Sequence, residues 1–262
     1  MKTARKILKW LGVLVIVAFL SLLLLARFSR HRFGQVTTLP NGVVQVSNNG
    51  SYIYGLRSGD KVLVIDGAAD ERGDVLDALL GSLGATRDQV TDVFLTHAHW
   101  DHVALAPLCR NARVHLGSED MDMAAQKAPQ EPRGARWMSI LGATPAVNVT
   151  DPLSGRTEFD IGGRKLLAIP LPGHTAGSYG YLWNGVLFTG DSINSGGNKL
   201  VFAMGVFSTD LSLNKRSIAK LKDVPEMAAI EQICTGHMGC TPPADSRPQL
   251  EDLIKRASAA LE

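Results

Sequence analysis

Cysteine is scarce in this chain, which has only Cys109, Cys234 and Cys240 among its 262 residues. So odd and sparse a set cannot form the disulfide framework that holds small secreted domains together. Internal repeats and low-complexity segments are also lacking. With 45% hydrophobic and 20% charged residues, the composition is that of an ordinary globular protein. The length suits one large domain or two small ones.

Positive charge is scarce over most of the chain. Seven of the 27 Lys and Arg residues lie in residues 1–32, where there is no acid, so residues 33–262 hold 20 bases against 25 acids. Binding to a phosphate backbone depends on clustered Lys and Arg, and no such cluster is present there. We therefore expect a small-molecule substrate and no nucleic acid, and no feature of the sequence indicates a protein partner.

The N-terminal segment holds the longest run without charge. As a helix, residues 10–26 would be roughly 26 Å long, close to the bilayer core of about 30 Å, and Lys9 and Arg27 lie at its ends. The run exceeds the usual length of about 7–15 residues in a cleaved secretory signal, which is the alternative, and no A-x-A site follows it. We predict a single-pass membrane anchor with basic flanks in residues 1–32, embedded through residues 7–27. Residues 33–262 would then form one domain on the periplasmic or extracellular side.

The folded part reads as two strand-rich halves with helices. Turn signals such as Asn-Gly separate the short β-rich runs, and apolar periodicity indicates the helices. Residues 125–150 contain several Pro and Gly and predict a long surface loop. The predicted strands are 43–46, 51–56, 61–65, 91–95, 157–160, 165–171, 179–183, 186–189 and 230–235, and the predicted helices are 71–83, 211–221 and 248–261.

The sequence HAHWDH at residues 97–102 carries three imidazoles and a carboxylate directly after a predicted strand. Residues i and i+2 of an extended segment face the same side, so His97 and His99 can bind one ion. Asp101 and His102 can face a second ion where the chain turns. The chance of this spacing with seven histidines is on the order of 10⁻⁴. Imidazole with a carboxylate suits zinc, or iron and manganese where more oxygen ligands are present.

Three further candidate ligands lie in glycine-containing loops that follow predicted strands. His174 is in PGHT, Asp191 in TGD and His237 in TGH. Glycine at such positions lets the backbone turn sharply and present the next side chain. His115, by contrast, lies within a β-rich run and is interpreted as a core histidine.

In this order, the motifs HxHxDH, PGHT, TGD and a final GH resemble those of the metallo-β-lactamase superfamily, over about residues 36–240. The resemblance implies an α/β fold, a four-layer αβ/βα sandwich with a metal site along one edge, so that residues 33–262 would be a catalytic domain. It also implies two divalent metal ions, with zinc as the preferred metal and iron or manganese as alternatives. The implied ligands are His97, His99 and His174 for one ion, Asp101, His102 and His237 for the other, and Asp191 as the bridge.

The same resemblance implies a mechanism. Two cations about 3.5–4 Å apart can share a water and lower its pKa toward 7, which supplies hydroxide as the nucleophile. Asp101 would be the catalytic group that manages the proton. Asp66 resembles the carboxylate that orients the metal ligands without binding the metal itself. We expect a hydrolase of an ester, thioester, lactone or related carbonyl compound, of the glyoxalase II and lactonase type.

Departures from the known branches leave alternatives open. Asp191 stands where true metallo-β-lactamases carry Cys or Ser, and only 25 residues follow His237, where glyoxalase II has a helical region. Asn194 stands where the acyl-homoserine lactonases have Tyr, and it is a candidate substrate contact. A β-lactamase remains an alternative. So does a mononuclear iron oxidoreductase resembling the persulfide dioxygenases, with His97, His174 and Asp191 as ligands. Residues 125–150 and 204–208 are the predicted substrate walls, because loops on a rigid scaffold usually set specificity.

Overall fold

The computed structural model of the chain describes residues 2–29, 33–69, 72–140, 142 and 145–261, and within residues 2–29 the side chains of Lys6 and residues 10–22 only. The helices are α1 (Lys2–Ser29), α2 (Asp74–Ser82), α3 (Trp100–Val103), α4 (Met121–Ala124), α5 (Arg133–Ser139), α6 (Leu211–Ala219) and α7 (Pro243–Ala259). The strands are β1 (Thr37–Thr38), β2 (Val44–Asn48), β3 (Ser51–Ser58), β4 (Lys61–Ile65), β5 (Asp92–Phe94), β6 (Arg113–Gly117), β7 (Asp151–Leu153), β8 (Thr157–Ile161), β9 (Arg164–Pro170), β10 (Tyr179–Trp183), β11 (Val186–Gly190), β12 (Ile193–Ser195), β13 (Leu200–Phe202), β14 (Gln232–Thr235) and β15 (Gly239–Cys240).

Two mixed sheets form the centre of the fold. The first has the strand order β1-β2-β3-β4-β5-β6-β7, with β1 to β4 antiparallel and β4 to β7 parallel. The second has the order β15-β14-β11-β10-β9-β8, and β12 and β13 form a separate hairpin. We call each sheet, together with the helices that cover it, one half of the sandwich.

Side-chain alternation along the strands separates three apolar layers. On β4, Leu63 and Ile65 face the space between the sheets, whereas Val62 and Val64 face α2. On β9, alternate residues likewise pack between the sheets or against α6 and α7. Because successive strand residues point to opposite faces, each sheet is buried on both sides. The order is helices, sheet, sheet, helices, which confirms the predicted four-layer αβ/βα sandwich.

The N-terminal helix differs from the prediction. No helix in the described part of the chain is long and apolar enough to cross a membrane. This finding contradicts the predicted single-pass anchor through residues 7–27, together with its periplasmic or extracellular localisation. The predicted basic flank at residues 30–32 lies outside the described residues, and the boundary at residue 33 stays a prediction.

Two other elements depart from the expected pattern. The segment 125–150, predicted to be a loop, contains the seven-residue helix α5. Helix α7 begins at Pro243 rather than at the predicted Pro248. Proline is tolerated at this position because the N–H groups of the first helical turn have no intrahelical acceptor. The predicted helix 71–83 is α2, and position 71 lies outside the described residues.

A polar cluster around the buried Asp92 joins β5 to β6. Asp92 Oδ1 lies 2.7 Å from Arg113 Nη2 and 2.9 Å from His115 Nε2. The His115 ring is fully buried and stacks on Phe94 with 4.3 Å between centroids, as expected for a core histidine. Burial acts to raise the pKa of Asp92, but the hydrogen bond from His115 and the charge of Arg113 outweigh it and lower that pKa below its ordinary value.

We predict that Asp92→Asn lowers the free energy of unfolding at pH 7 by about 1–3 kcal/mol, because His115 and Arg113 lose their carboxylate partner. A carboxyl group with a lowered pKa in the folded state stabilises the protein above its unfolded pKa, and this stabilisation is lost as the pH falls through the folded value. Urea unfolding at pH 7 and pH 3 measures both effects. The exposed Asp88→Asn is the matched control, and a difference from wild type that is equally large at both pH values would contradict the assignment.

Candidate metal centre

The candidate ligands meet at one edge of the sandwich. Strands β11 and β14 are parallel, and β9 runs in the same direction because β9 and β11 both pair antiparallel with β10. The loops that follow these strands therefore emerge at the same edge. The first half supplies His97, His99, Asp101 and His102 from the end of β5 and from α3, and the second half supplies His174, Asp191 and His237 from the loops after β9, β11 and β14.

Three imidazoles converge in the first group. His174 Nε2 lies 3.2 Å from His97 Nε2 and 3.0 Å from His99 Nδ1, and all three rings are buried. Nitrogen ligands at 2.0–2.1 Å from a tetrahedral zinc ion are about 3.4 Å apart. The spacing of these nitrogens is thus close to that of ligands around one ion.

A second group lies beside the first. Asp101 Oδ2 is 3.8 Å from His102 Nε2 and 3.7 Å from His237 Nε2. Ligand atoms of these three residues all lie within 4.8 Å of one another, as do those of the His97, His99 and His174 group.

Asp191 lies between the two groups. Its Oδ2 is 3.6 Å from His174 Nε2 and 2.9 Å from His237 Nε2, and its Oδ1 is 3.5 Å from His102 Nε2. Its carboxylate therefore faces histidines of both groups.

Two buried atoms at the centre have no hydrogen-bond partner. They are His102 Nε2 and Asp191 Oδ1, both of which carry lone pairs. An unsatisfied buried polar atom costs about 1–3 kcal/mol, so such atoms need a partner that the chain does not provide. A divalent cation satisfies lone pairs of this kind, and the donor set of five imidazoles and two carboxylates fits zinc.

The other nitrogen of each ligand histidine contacts an oxygen atom. Such second contacts fix the tautomer and the ring orientation of a metal-binding histidine. The pairs are His97 Nδ1 with Thr96 Oγ1 (3.0 Å), His99 Nε2 with Glu131 O (2.7 Å), His102 Nδ1 with Asp66 Oδ2 (2.9 Å), His174 Nδ1 with Ser208 Oγ (3.1 Å) and His237 Nδ1 with Gly50 O (3.1 Å).

The direction of these bonds follows from the partners. Backbone carbonyl oxygens can only accept, and the hydroxyls of Thr96 and Ser208 already donate to Asp66 Oδ2 and Met204 O. Each histidine can therefore donate a proton outward, and its inward nitrogen, Nδ1 in His99 and Nε2 in the other four, is the one that can bind a cation. The site is built to receive a cation.

Burial determines the protonation of the first group. It lowers the pKa of His97 and His99 and brings the pKa of His174 to about 3. These rings are neutral at physiological pH, which is the form that binds metals. Burial also acts to raise the pKa of Asp191, but His237 and His102 outweigh it and hold that pKa well below its usual range.

Asp66 and Thr96 link His97 of the first group to His102 of the second through their outward nitrogens. Asp66 Oδ1 accepts from Thr96 N at 2.7 Å, and Asp66 Oδ2 accepts from Thr96 Oγ1 at 2.9 Å and lies 2.9 Å from His102 Nδ1. Asp66 is buried and adopts a positive φ of 60°, a conformation that Asp tolerates better than most residues. The orienting role of Asp66 stays a prediction.

Asp120 connects the two histidine-bearing loops. The buried carboxylate accepts from Ala98 N at 3.0 Å, Thr175 Oγ1 at 2.6 Å and Gly177 N at 2.8 Å. Ala98 lies between His97 and His99, and Thr175 follows His174. Sequence reasoning missed Asp120, because a single acid after a strand carries no motif.

The loop that carries His237 is confined in two ways. A disulfide joins Cys234 to Cys240, the two cysteines on either side of it, while Cys109 is buried and free. A side chain at Gly236 would collide with Asp191 Oδ1. Only glycine therefore permits this close approach of the loop to Asp191.

All seven predicted ligands thus lie in one cluster. Asn194, the candidate substrate contact, lies on β12 beside it, and its Nδ2 donates to the backbone oxygen of Asp191 at 3.2 Å. Its role in substrate contact stays a prediction.

We predict that Asp120→Asn weakens zinc binding by about 10–100-fold, the usual effect of removing an outer partner of metal ligands. An amide has one acceptor oxygen, so at least one of the three donors would face its NH2 group. Competition with a chromogenic chelator measures the affinity. The exposed neighbouring Asp122→Asn is the matched control, and unchanged zinc affinity in Asp120→Asn would show that these contacts do not support the site.

Comparison with known proteins agrees with the fold. The profile of the metallo-beta-lactamase superfamily matches residues 47–237. A hydroxyacylglutathione hydrolase of Halorhodospira halophila is 28% identical over 55% of this chain and 46% of its own length. A probable polyketide biosynthesis zinc-dependent hydrolase, BaeB, of Bacillus velezensis is 28% identical over 57% of each protein. The chain spans about half the length of these curated relatives.

Among solved structures, a metallo-beta-lactamase of Cronobacter sakazakii superposes on 90% of this chain and 96% of its own with a TM-score of 0.66. The sequence identity is 18%, so this likeness concerns the fold alone. The family profile covers well over half of the chain and includes every residue of the cluster. The chain belongs to the metallo-β-lactamase superfamily.

Proposed function

We propose that the chain is a hydrolase that binds two divalent metal ions, zinc above all, and cleaves an ester, thioester, lactone or related carbonyl compound. The observation that carries this proposal is the pair of ligand groups that face Asp191 from two sides. The proposed ligands are His97, His99 and His174 for one ion, Asp101, His102 and His237 for the other, and Asp191 between them.

Zinc is supported by the ligands and by the relatives. Imidazole nitrogens predominate in the cluster, and zinc favours nitrogen over the all-oxygen environment that suits magnesium or calcium. One relative is named a zinc-dependent hydrolase and another a hydroxyacylglutathione hydrolase. Both names describe hydrolysis, and neither is carried over to this chain as a substrate.

Two metal ions held by these ligands would supply an activated water at neutral pH and polarisation of the substrate carbonyl. The chain itself provides position and proton transfer. The Asp191 side chain is 10% exposed, whereas that of Asp101 is 19% and that of His237 is 35% exposed. The site therefore opens to solvent beside Asp101, where a carboxylate can accept a proton from water and return it to the leaving group.

Asn194 is the proposed polar contact to substrate. Its side chain is half-buried and donates to the backbone oxygen of Asp191. An amide there can donate a hydrogen bond to a carbonyl oxygen.

The metal content separates the proposal from its rival. We expect close to two zinc ions per chain when the full chain is purified without metal added after lysis and analysed by elemental mass spectrometry. A single iron per chain would contradict the proposal and favour the mononuclear oxidoreductase resembling the persulfide dioxygenases.

We predict that His99→Ala abolishes hydrolysis, with a loss on the order of 10³-fold or more, equivalent to about 4 kcal/mol of transition-state stabilisation. The fold should remain, because a metal ligand at the edge of the sandwich does not hold its core together. Turnover of a panel of short esters, thioesters and lactones gives the activity, and circular dichroism reports the fold. His31→Ala is the control, and turnover like that of the wild type in His99→Ala would rule out the site.

A further inference from the structure

Exposed apolar side chains are concentrated beside the metal centre. Outside α1, nine large hydrophobic residues are exposed in the described part of the chain, and all but Phe33 and Leu261 lie in segments that carry or contact metal ligands. We call the following seven residues the apolar rim: Trp137, Met138, Ile140, Met204, Val206, Leu211 and Met238. Single exposed hydrophobic residues are ordinary on protein surfaces, whereas clusters mark ligand or partner sites.

The segment that contains α5 is attached to the first metal group. Glu131 O accepts from His99 Nε2 at 2.7 Å, and Gln130 bonds to the backbone at both Ala98 and Trp100. A Cβ atom on Gly142 would lie 2.5 Å from the Trp100 ring, so the chain returns to the site after α5. Trp137 and Ile140, 73% and 71% exposed, lie between these two anchor points.

The segment 204–211 is attached to the same group. Ser208 Oγ lies 3.1 Å from His174 Nδ1 and donates to Met204 O at 2.8 Å. Thr209 N donates to His174 O at 2.9 Å. Met204 and Val206 are 58% and 60% exposed, within four residues of Ser208.

The two segments form one surface. Gly134 of α5 lies directly against Val206, and a side chain at Gly134 would collide with the Val206 carbonyl oxygen. The two segments are therefore in contact. The α5 segment is hydrogen-bonded to His99, and the segment 204–211 is hydrogen-bonded to His174. Met238 is 58% exposed and follows His237 in the loop that the disulfide closes.

Packing within the fold does not account for these side chains. Ala135, on the inner side of α5, is buried, while Trp137 and Met138 face outward. The sequence of α5, RGARWMS, contains no acid. The surface formed by α5 is thus apolar with cationic residues, which suits the apolar chain of a carbonyl compound better than a cationic group.

We propose that the apolar rim binds an aliphatic acyl chain, so that the substrate is an acyl ester, thioester or lactone with an apolar tail. This inference rests on the proposed hydrolase function and names its substrate class. The carbonyl end would lie at the metal centre, and the tail would cover Trp137, Ile140 and Met204.

Straight-chain carboxylates from acetate to decanoate, below their micelle concentrations, test the inference on the zinc-loaded full chain. They correspond to the acid half of the product, and isothermal titration measures their binding without turnover. We expect the Kd to fall by about fourfold per methylene group beyond butyrate, the equivalent of about 0.8 kcal/mol. Trp137→Ala and Ile140→Ala should each reduce this dependence on chain length.

The control is Leu261→Ala, an exposed leucine outside the rim, which should keep the full dependence. A Kd that does not vary with chain length would overturn the inference, as would a dependence unchanged in both rim variants. A dimer that dissociates in Trp137→Ala without any change in the chain-length series would assign the surface to a second copy and also overturn it. Chain-length-dependent binding without hydrolysis of any short ester, thioester or lactone would support the acyl site and refute the proposed hydrolase.

Discussion

Five imidazoles and two carboxylates share a small volume at the edge of the sandwich, and the surrounding structure is organised by the need to satisfy them. Neutral histidines packed 3.0–3.2 Å apart with their lone pairs facing one another are stable only where something holds the rings in place. Burial keeps the first three neutral. An outward contact on each ring then leaves the inward nitrogen facing the other candidate ligands.

The supporting contacts come from parts of the chain that are far apart in sequence. His237 relies on a backbone oxygen of Gly50, and His99 on a backbone oxygen of Glu131. Asp66 and Asp120 each bond to backbone and side-chain donors next to the ligands. The sandwich is thus a scaffold that brings these oxygens within reach, which explains why the histidines lie in loops that follow strands of both sheets.

Much of this could be predicted from the sequence, and the failures have physical reasons. Strand alternation and glycine-bounded turns predicted the strands, because these patterns are local. The resemblance of the motif series to the superfamily predicted the four layers and the ligand cluster. The backbone oxygens of Gly50 and Glu131 have no signature, since any residue supplies a carbonyl. Helix α5 escaped prediction because seven residues are too few for periodicity, and it packs on Val206 through Gly134. The anchor was predicted from an apolar run alone, and the described residues do not support it.

The seven candidate ligands are divided between the two halves, four from the first and three from the second. Each proposed ion takes ligands from both halves, so it would bind only when the halves are packed together. Ligand binding restricted to the folded state adds RT ln(1 + [L]/Kd) to its stability, about 4 kcal/mol when the free ion is a thousandfold above its Kd. The bound metal would then hold the two sheets together. The availability of zinc would thus govern how long the protein stays folded, as well as its activity.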